Sequence, residues 1–517
     1  MKFRIKNFIA YINSITYIDD RSLALFRIIA GFLIITEVIL RIQHLNFFYT
    51  DYGPNPIELI QQQYSILSLH YLTGDPIIIW LSFIIQFILG IFLILGFKTK
   101  WVLIISFILL VSIDNRNPFI TSYADTLFRL LLFWALFLPL ERKWSIDKRI
   151  GCIRDWTITS RIAGLFILIQ MLAMYFTNAS HKFYNLESWV NGEAFYTILY
   201  YDSVTFLLAE YVRELPYIFI QLSGFYWFFV MIIAPVMLFI KDKPRYILAI
   251  GLMLGHIGIT VTSRIGLFSF VSIMGLVLFL QSQFWNDCNK IIIKLFNKST
   301  NKTEENQVKI NKSISSVILL IIVLVIGSSM IIATGYNSQY IDEDDAVVYD
   351  SSQFVQNSLS HARLDQPTWS FYTGPRFADT THVIAAKTSQ GNEIDILRNE
   401  KLELTRYRNQ SLHEQFESYR HRFYFNSVEV SDVNSHTSTA SYLSNYLCQN
   451  WEQDGEKIEH ITIYTIDSSW SKENIGDYDS YDEEIKIHNI KSCNTDKEPK
   501  TVGEPDMDYE IINVCKE

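Results

Sequence analysis

A charge inside a bilayer costs several kcal/mol, so it is normally paired or put to use. This chain places several there. Lys182 follows the apolar run "RIAGLFILIQMLAMYF" and opens the stretch "HKFYNLESWVNG" with His181. It has two readings. As an anchor it snorkels to the headgroups. As a base it must be neutral, which a low-dielectric pocket favours for a lysine, and it can then abstract protons. Asp125 and Arg129 lie one helical turn apart in "ADTLFRLLLFWALFLP". They form either a local salt bridge that packs a bundle or part of a polar pocket with Arg129 toward a substrate. Glu37 and Arg41 repeat the same spacing. His256 precedes Arg264 by two turns in "GHIGITVTSR", if one helix runs through, and it is either a packing group or a catalyst. Gly251, Gly255 and Gly258 would let a neighbouring helix come close.

These groups need helices to hold them. Half of the 517 residues are apolar, and the apolar runs end near residue 335. At about 20 residues per crossing, they give about nine spans: 22–40, 77–96, 101–114, 122–140, 161–178, 217–240, 245–262, 264–281 and 315–335. The third is short and is closed by Asp114 and Asn115. Basic residues crowd the N-terminus, the 97–100 turn, the 141–161 loop, the 241–245 turn and the 282–314 loop, and alternate loops nearly lack them. The excess of basic charge marks the cytoplasmic side. The expectation is therefore a plasma (inner) membrane protein with a cytoplasmic N-terminus, an extracytoplasmic C-terminal domain, and Lys182 on the outer side.

The expected fold class is an all-α polytopic bundle with a C-terminal α+β domain. Its parts are a membrane domain over 1–281, a cytoplasmic linker over 282–314, a last span over 315–335, an α+β domain over 336–470 and an acidic mobile tail over 471–517. In the C-terminal domain "HVIAAKTSQGNEIDILR" reads as a hairpin turning at Gln390–Gly391–Asn392. "SLHEQFESYRHRFYFNSV" and "STASYLSNYLCQNW" read as helices, and "IEHITIYTIDSSW" as a strand. Acidic residues outnumber basic ones there, so nucleic acid is not an expected partner. The expected partners are the lipid bilayer and a peptide or small protein substrate. Cys448, Cys493 and Cys515 allow one bridge, of Cys493 with Cys515 or Cys448. No cysteine spacing reads as a zinc or haem site.

Five segments, in order, resemble the vitamin K-dependent gamma-carboxylase family and its bacterial relatives, the HTTM (horizontally transferred transmembrane) domain proteins. They are "SLALFRIIAGFLIITEVILR" with "FYTDYGPNP", "ADTLFRLLLFWALFLP" with "WSID", "YFTNASHKFYNLESWVNGEAF", "HIGITVTSRIGLFSF" and "QPTWSFYTGPR". The resemblance implies a lysine base, matched here by Lys182, ahead of a tryptophan–glycine element, matched by Trp189 and Gly192. It implies a reduced quinone of the vitamin K hydroquinone type as cofactor, and carboxylation of a glutamate carbanion. Asp125 and His256 would line the pocket, and Arg129 and Trp189 would meet the substrate. Ala124 and Asp125 stand where the carboxylases carry a histidine. "PTWSFYTGPR" is also similar to a segment of proteins that mature the bacterial sporulation-delaying toxin peptide, which implies a non-carboxylating factor for peptide maturation or export. Convergence of Lys182, Asp125 and His256 separates the two classes.

Overall fold

The computed structural model describes residues 16–64, 68–296, 364, 369–406, 415–430, 438–494, 497–503 and 509–511, with a few positions between 320 and 327. The expected span at 315–335 and Cys515 lie essentially outside these residues.

Helix α1 (Asp20–Ile42) starts at Asp19, whose carboxylate accepts the Arg21 backbone N–H at 2.8 Å. Helix α2 (Pro76–Leu95) packs closely along it. The two backbones touch at Gly31 and Gly90: a Cβ on Gly31 would stand 2.7 Å from the Gly90 carbonyl. The α2 terminus turns through Gly96 at φ 65°. Arg27, buried in α1, donates to the carbonyls of Leu93, Ile94 and Trp144. This charge within a span therefore serves as a C-cap for its neighbour.

Helices α3 (Thr99–Arg116), α4 (Tyr123–Ala135), α5 (Ile158–Phe183), α6 (Tyr217–Ile233), α7 (Asp242–Thr262) and α8 (Phe268–Leu276) follow. Among the described residues five helices are long and apolar enough to cross a membrane: α1, α2, α5, α6 with its continuation to Leu238, and α7. A sixth arises if α8 and α9 (Ser282–Phe296) count as one span bent by 96°. This differs from the expected nine. Helix α4 has 13 residues, about 20 Å against the roughly 30 Å of a bilayer core. Helix α3 ends in Asp114, Asn115 and Arg116, all buried. Helix α9 occupies the start of the expected linker. Helix α7 stops at Thr262, so His256 and Arg264 do not share one helix.

The basic loops gather at one end of the bundle. Asp147 accepts the backbone N–H groups of Lys98 and Thr99, each at 2.8 Å. Arg142 pairs with Asp20 at 3.0 Å, Ser282 donates to Asp19 at 2.7 Å, and the Asp242 N–H reaches Gln281 at 3.0 Å. The C-terminal domain meets the other ends of α1 and α5.

That domain is a sheet in the order β3 (Glu400–Lys401), β2 (Glu393–Asp395), β1 (Ala378–Thr388), β5 (Glu456–Ser469), β6 (Asp482–Ser492), β7 (Tyr509–Ile511), with β4 (Glu452–Gln453) beside β5. All pairs are antiparallel except β6–β7. The expected hairpin is there, with Lys387 opposite Glu393 and Gly391 at φ 88°. Helices α10 (Tyr419–Glu429) and α11 (Thr439–Asn450) supply the helical layer. One apolar cluster joins Ile384, Ile461, Ile463 and Leu443 to Tyr424 and Phe425, and continues to Phe48, Phe83 and Ile113 of the helical part. On the opposite sheet face Val383, Ala385, Ile485 and Ile487 pack under Val502. The stretch expected as a mobile tail thus contains a long strand of the sheet. Its charges hide an alternation that buries Ile485 and Ile487. Cys448 and Cys493 form the disulfide, with Cα atoms 5.3 Å apart.

Candidate functional site

Helix α5 presents Tyr175, Asn178 and Lys182 at i, i+3 and i+7, along one face. The segment Trp369–Gly374, "WSFYTG", lies across that face as a strap. Asn178 Nδ2 donates to the carbonyls of Trp369 at 2.8 Å and Phe371 at 3.1 Å. Lys182 Nζ donates to the Phe371 carbonyl at 2.5 Å and to the Tyr372 carbonyl. Trp189, in the short helix Leu186–Val190, donates its Nε1–H to Thr373 O at 3.1 Å, and its ring centroid lies 4.2 Å from Lys182 Nζ. Tyr372 OH meets Thr197 Oγ1 at 2.9 Å. Trp369 and Tyr372 adopt φ of 51° and 44°, a region bulky side chains avoid, so these contacts hold the strap against a local backbone preference.

Lys182 is only 2% exposed. Its amine faces carbonyls and an aromatic ring, and no ion pair with a carboxylate is formed by it among the described residues. The strap thus encloses the Lys182 side chain.

His256 Nε2 and Tyr175 OH are 2.7 Å apart. Trp227 and Phe268 pack on the imidazole, and His256 Nδ1 is buried with no hydrogen-bond partner among the described residues. Phe371 links this pair to Lys182. Its carbonyl accepts from Lys182 Nζ, and its ring centroid lies 4.5 Å from that of Phe268. No hydrogen bond joins Lys182 to His256 among the described residues.

Asp125 belongs to a different cluster. Its carboxylate accepts Arg41 at 2.7 Å, Arg420 at 2.8 Å and the Ser122 backbone N–H at 2.7 Å. Arg41 also pairs with Glu37 at 2.9 Å and Asp114 at 2.9 Å, and Arg420 with Glu37 at 2.6 Å. Arg129 pairs with Asp114 at 3.0 Å. Three carboxylates and three guanidiniums thus balance in a buried interior, where an unpaired member would be costly. Arg420, from α10, ties the C-terminal domain to α1 and α4.

The fold therefore brings Lys182 and Trp189 together, sets His256 behind Phe371, and places Asp125 and Arg129 in the ion cluster. Sequence reasoning missed Tyr175, Asn178 and Arg420. The "WSFYTG" motif was the available signal for the strap, since its residues make most of the contacts.

The chain belongs to the HTTM domain family, whose family model matches residues 16–285. With its long apolar helices, this makes it an integral membrane protein. No curated protein and no solved structure matches it.

Proposed function

We propose that this is a membrane enzyme of the gamma-carboxylase-like class, with Lys182 as its base at the outer membrane face and an acidic peptide as its substrate. The observation that carries the reading is Lys182 itself, a buried lysine whose partners are two main-chain carbonyls and the Trp189 face. A carboxylate partner would hold the amine protonated, and a protonated amine cannot take a proton. Carbonyl partners are released by moving the strap. The Cys448–Cys493 disulfide supports an oxidising, outer location for the C-terminal domain.

A reduced quinone fits the surroundings in kind. A flat hydroxylated ring asks for aromatic faces and a few hydrogen-bonding atoms. Phe268, Phe371 and Trp227 offer the faces, and His256 Nδ1 and Trp369 Nε1 are buried without partners among the described residues. When bound, such a group supplies, with oxygen, the strong base that carboxylation of glutamate requires. The protein's part is to take a hydroxyl proton at Lys182 Nζ, to hold the ring with His256 and its Tyr175 partner, and to exclude water with the strap. Lys182, Asp125 and His256 do not converge, an outcome that by itself favours the non-catalytic class. The enzyme reading therefore rests on the burial and partners of Lys182, and Asp125 and Arg129 have no direct part in it. They fix the helices that carry the site.

The test is a carboxyl mass increment on acidic peptides from cells carrying the gene, compared with Lys182→Ala, Lys182→Arg and Asn178→Ala. The reading expects loss in both lysine variants at unchanged membrane accumulation, and a reduced but measurable product in Asn178→Ala. A product that survives in Lys182→Arg and Lys182→Ala overturns it. The second reading, a non-carboxylating factor for peptide maturation or export, draws on the engagement of Lys182 by the strap. It expects Asn178→Ala and Lys182→Ala to be equivalent, since both would only loosen a clamp.

A further inference from the structure

A second cluster lies where the C-terminal domain meets the end of α1, and it owes nothing to Lys182. His44 follows α1, Glu417 precedes α10, and His421 lies in the first turn of α10. One ligand atom from each of the three lies within 4.8 Å of the others. His44 Nδ1 and Glu417 Oε2 are 3.2 Å apart. The two imidazoles meet edge to face with centroids 4.6 Å apart. From these residues we infer that His44, Glu417 and His421 bind a divalent transition-metal ion, with zinc the best fit, at the seam between the two parts of the chain.

The chemistry is specific. Two imidazoles and one carboxylate form a donor set that suits zinc with one position left open, and also ferrous iron. Ligand atoms about 2.0–2.1 Å from a tetrahedral ion stand roughly 3.3 Å from one another. The His44–Glu417 distance already matches. Glu417, with a side chain 76% exposed, can rotate to complete the set. His421 and the backbone that carries Glu417 are held. Ser418 Oγ lies 2.9 Å from His421 Nδ1, the kind of outer contact that orients a metal-binding histidine. Arg264 donates to the carbonyls of Phe416 and Glu417 at 3.1 and 3.2 Å, which fixes the loop that carries the carboxylate. A salt bridge alone would need one histidine. Two histidines within reach of one carboxylate make a site for a cation that all three share.

The cluster also faces space. A cleft of about 550 Å³ is lined by His44, Phe47, Trp80, Gln415, Glu417 and His421. A metal there would clasp the two parts of the chain beside the Arg420 cluster and turn its open position toward the cleft. Water or a carbonyl or carboxylate oxygen of a peptide could occupy that position.

The experiment uses the full chain in detergent. Metal content is measured by mass spectrometry after dialysis, and apo protein is titrated with Zn²⁺ and, anaerobically, with Fe²⁺ against a chromophoric chelator. The wild type is expected to hold about one ion per chain, and the ion retained identifies the metal. Glu417→Gln changes an exposed side chain, so it tests the site without threatening the fold. It is expected to weaken binding by at least ~10-fold, as is Ser418→Ala, while His44→Gln with Glu417→Gln abolishes it. Lys182→Arg should bind like the wild type, which separates this site from the base proposed above. Failure of the wild type to bind either ion in the titration, or wild-type affinity in Glu417→Gln, overturns the inference.

Discussion

Asp125 is held by guanidiniums from two distant parts of the chain, Arg41 and Arg420. Its depth and its spacing to Arg129 were legible. Its partners were not, because Arg420 lies 295 residues away in the chain and Arg41 sits on another helix. The charges of the cluster hold each other in place. Removing one leaves a buried counter-charge uncompensated, which costs about 3–5 kcal/mol. Arg420→Met should therefore lower the melting temperature of the purified protein by several degrees and make the C-terminal domain easier to cleave from the bundle. Arg420→Met combined with Asp125→Leu should lose less than the two single changes together. Additive losses would mean that the two residues do not act as a pair. Lys182 and Trp189 were legible for a different reason. They are seven residues apart, on either side of the short turn between α5 and the helix Leu186–Val190, and only the strap that covers them comes from far along the chain.

The helices illustrate what composition can and cannot say about elements. Apolar runs gave the places of α1, α2, α5, α6 and α7, because a long apolar stretch has one favourable outcome in a bilayer. They gave α3 and α4 less well. Helix α4 is buried almost throughout, so its apolar character reflects packing against neighbours rather than contact with lipid. Periodicity alone cannot separate those two causes. The α1–α2 pair depends on backbone contact rather than on hydrophobicity. At Gly31 any side chain would meet the Gly90 carbonyl and the Ile94 backbone N, at 2.7 and 2.9 Å from its Cβ, and main-chain atoms cannot swing away. Gly31→Leu should force the helices apart at a cost of about 1–3 kcal/mol, seen as a lower melting temperature with accumulation reduced. The same change at Gly258, where nothing lies within 4 Å of the added Cβ, should leave both nearly unchanged. Equal behaviour of the two variants would remove the close approach as the reason for the glycine.

At the scale of the molecule, the arrangement of the ends is what gives the chain a direction. The basic turn at 97–100, the 141–161 loop and the start of α7 meet the N-terminal end of α1, while the strap, the ion cluster and the C-terminal sheet meet the far ends of α1 and α5. Some of the basic residues are engaged within the protein: Arg142 bonds Asp20 and Arg154 bonds Glu141. Lys148 and Arg149 are exposed, and such side chains remain available to anionic headgroups. If that end is cytoplasmic, two cysteine results follow together. Cys152 is free and exposed, so in intact spheroplasts an impermeant maleimide should leave it unlabelled, and should label it once the membrane is opened. Cys448 and Cys493 should be oxidised in cells. Their bridge closes a separation of 45 residues, which the chain-entropy account values at about 4 kcal/mol, so Cys448→Ser should lower the melting temperature to the value that a reducing agent gives the wild type. Labelling of Cys152 in intact spheroplasts would reverse the orientation, and Lys182 would then face the cytoplasm, where a reaction at the outer membrane face cannot be its work.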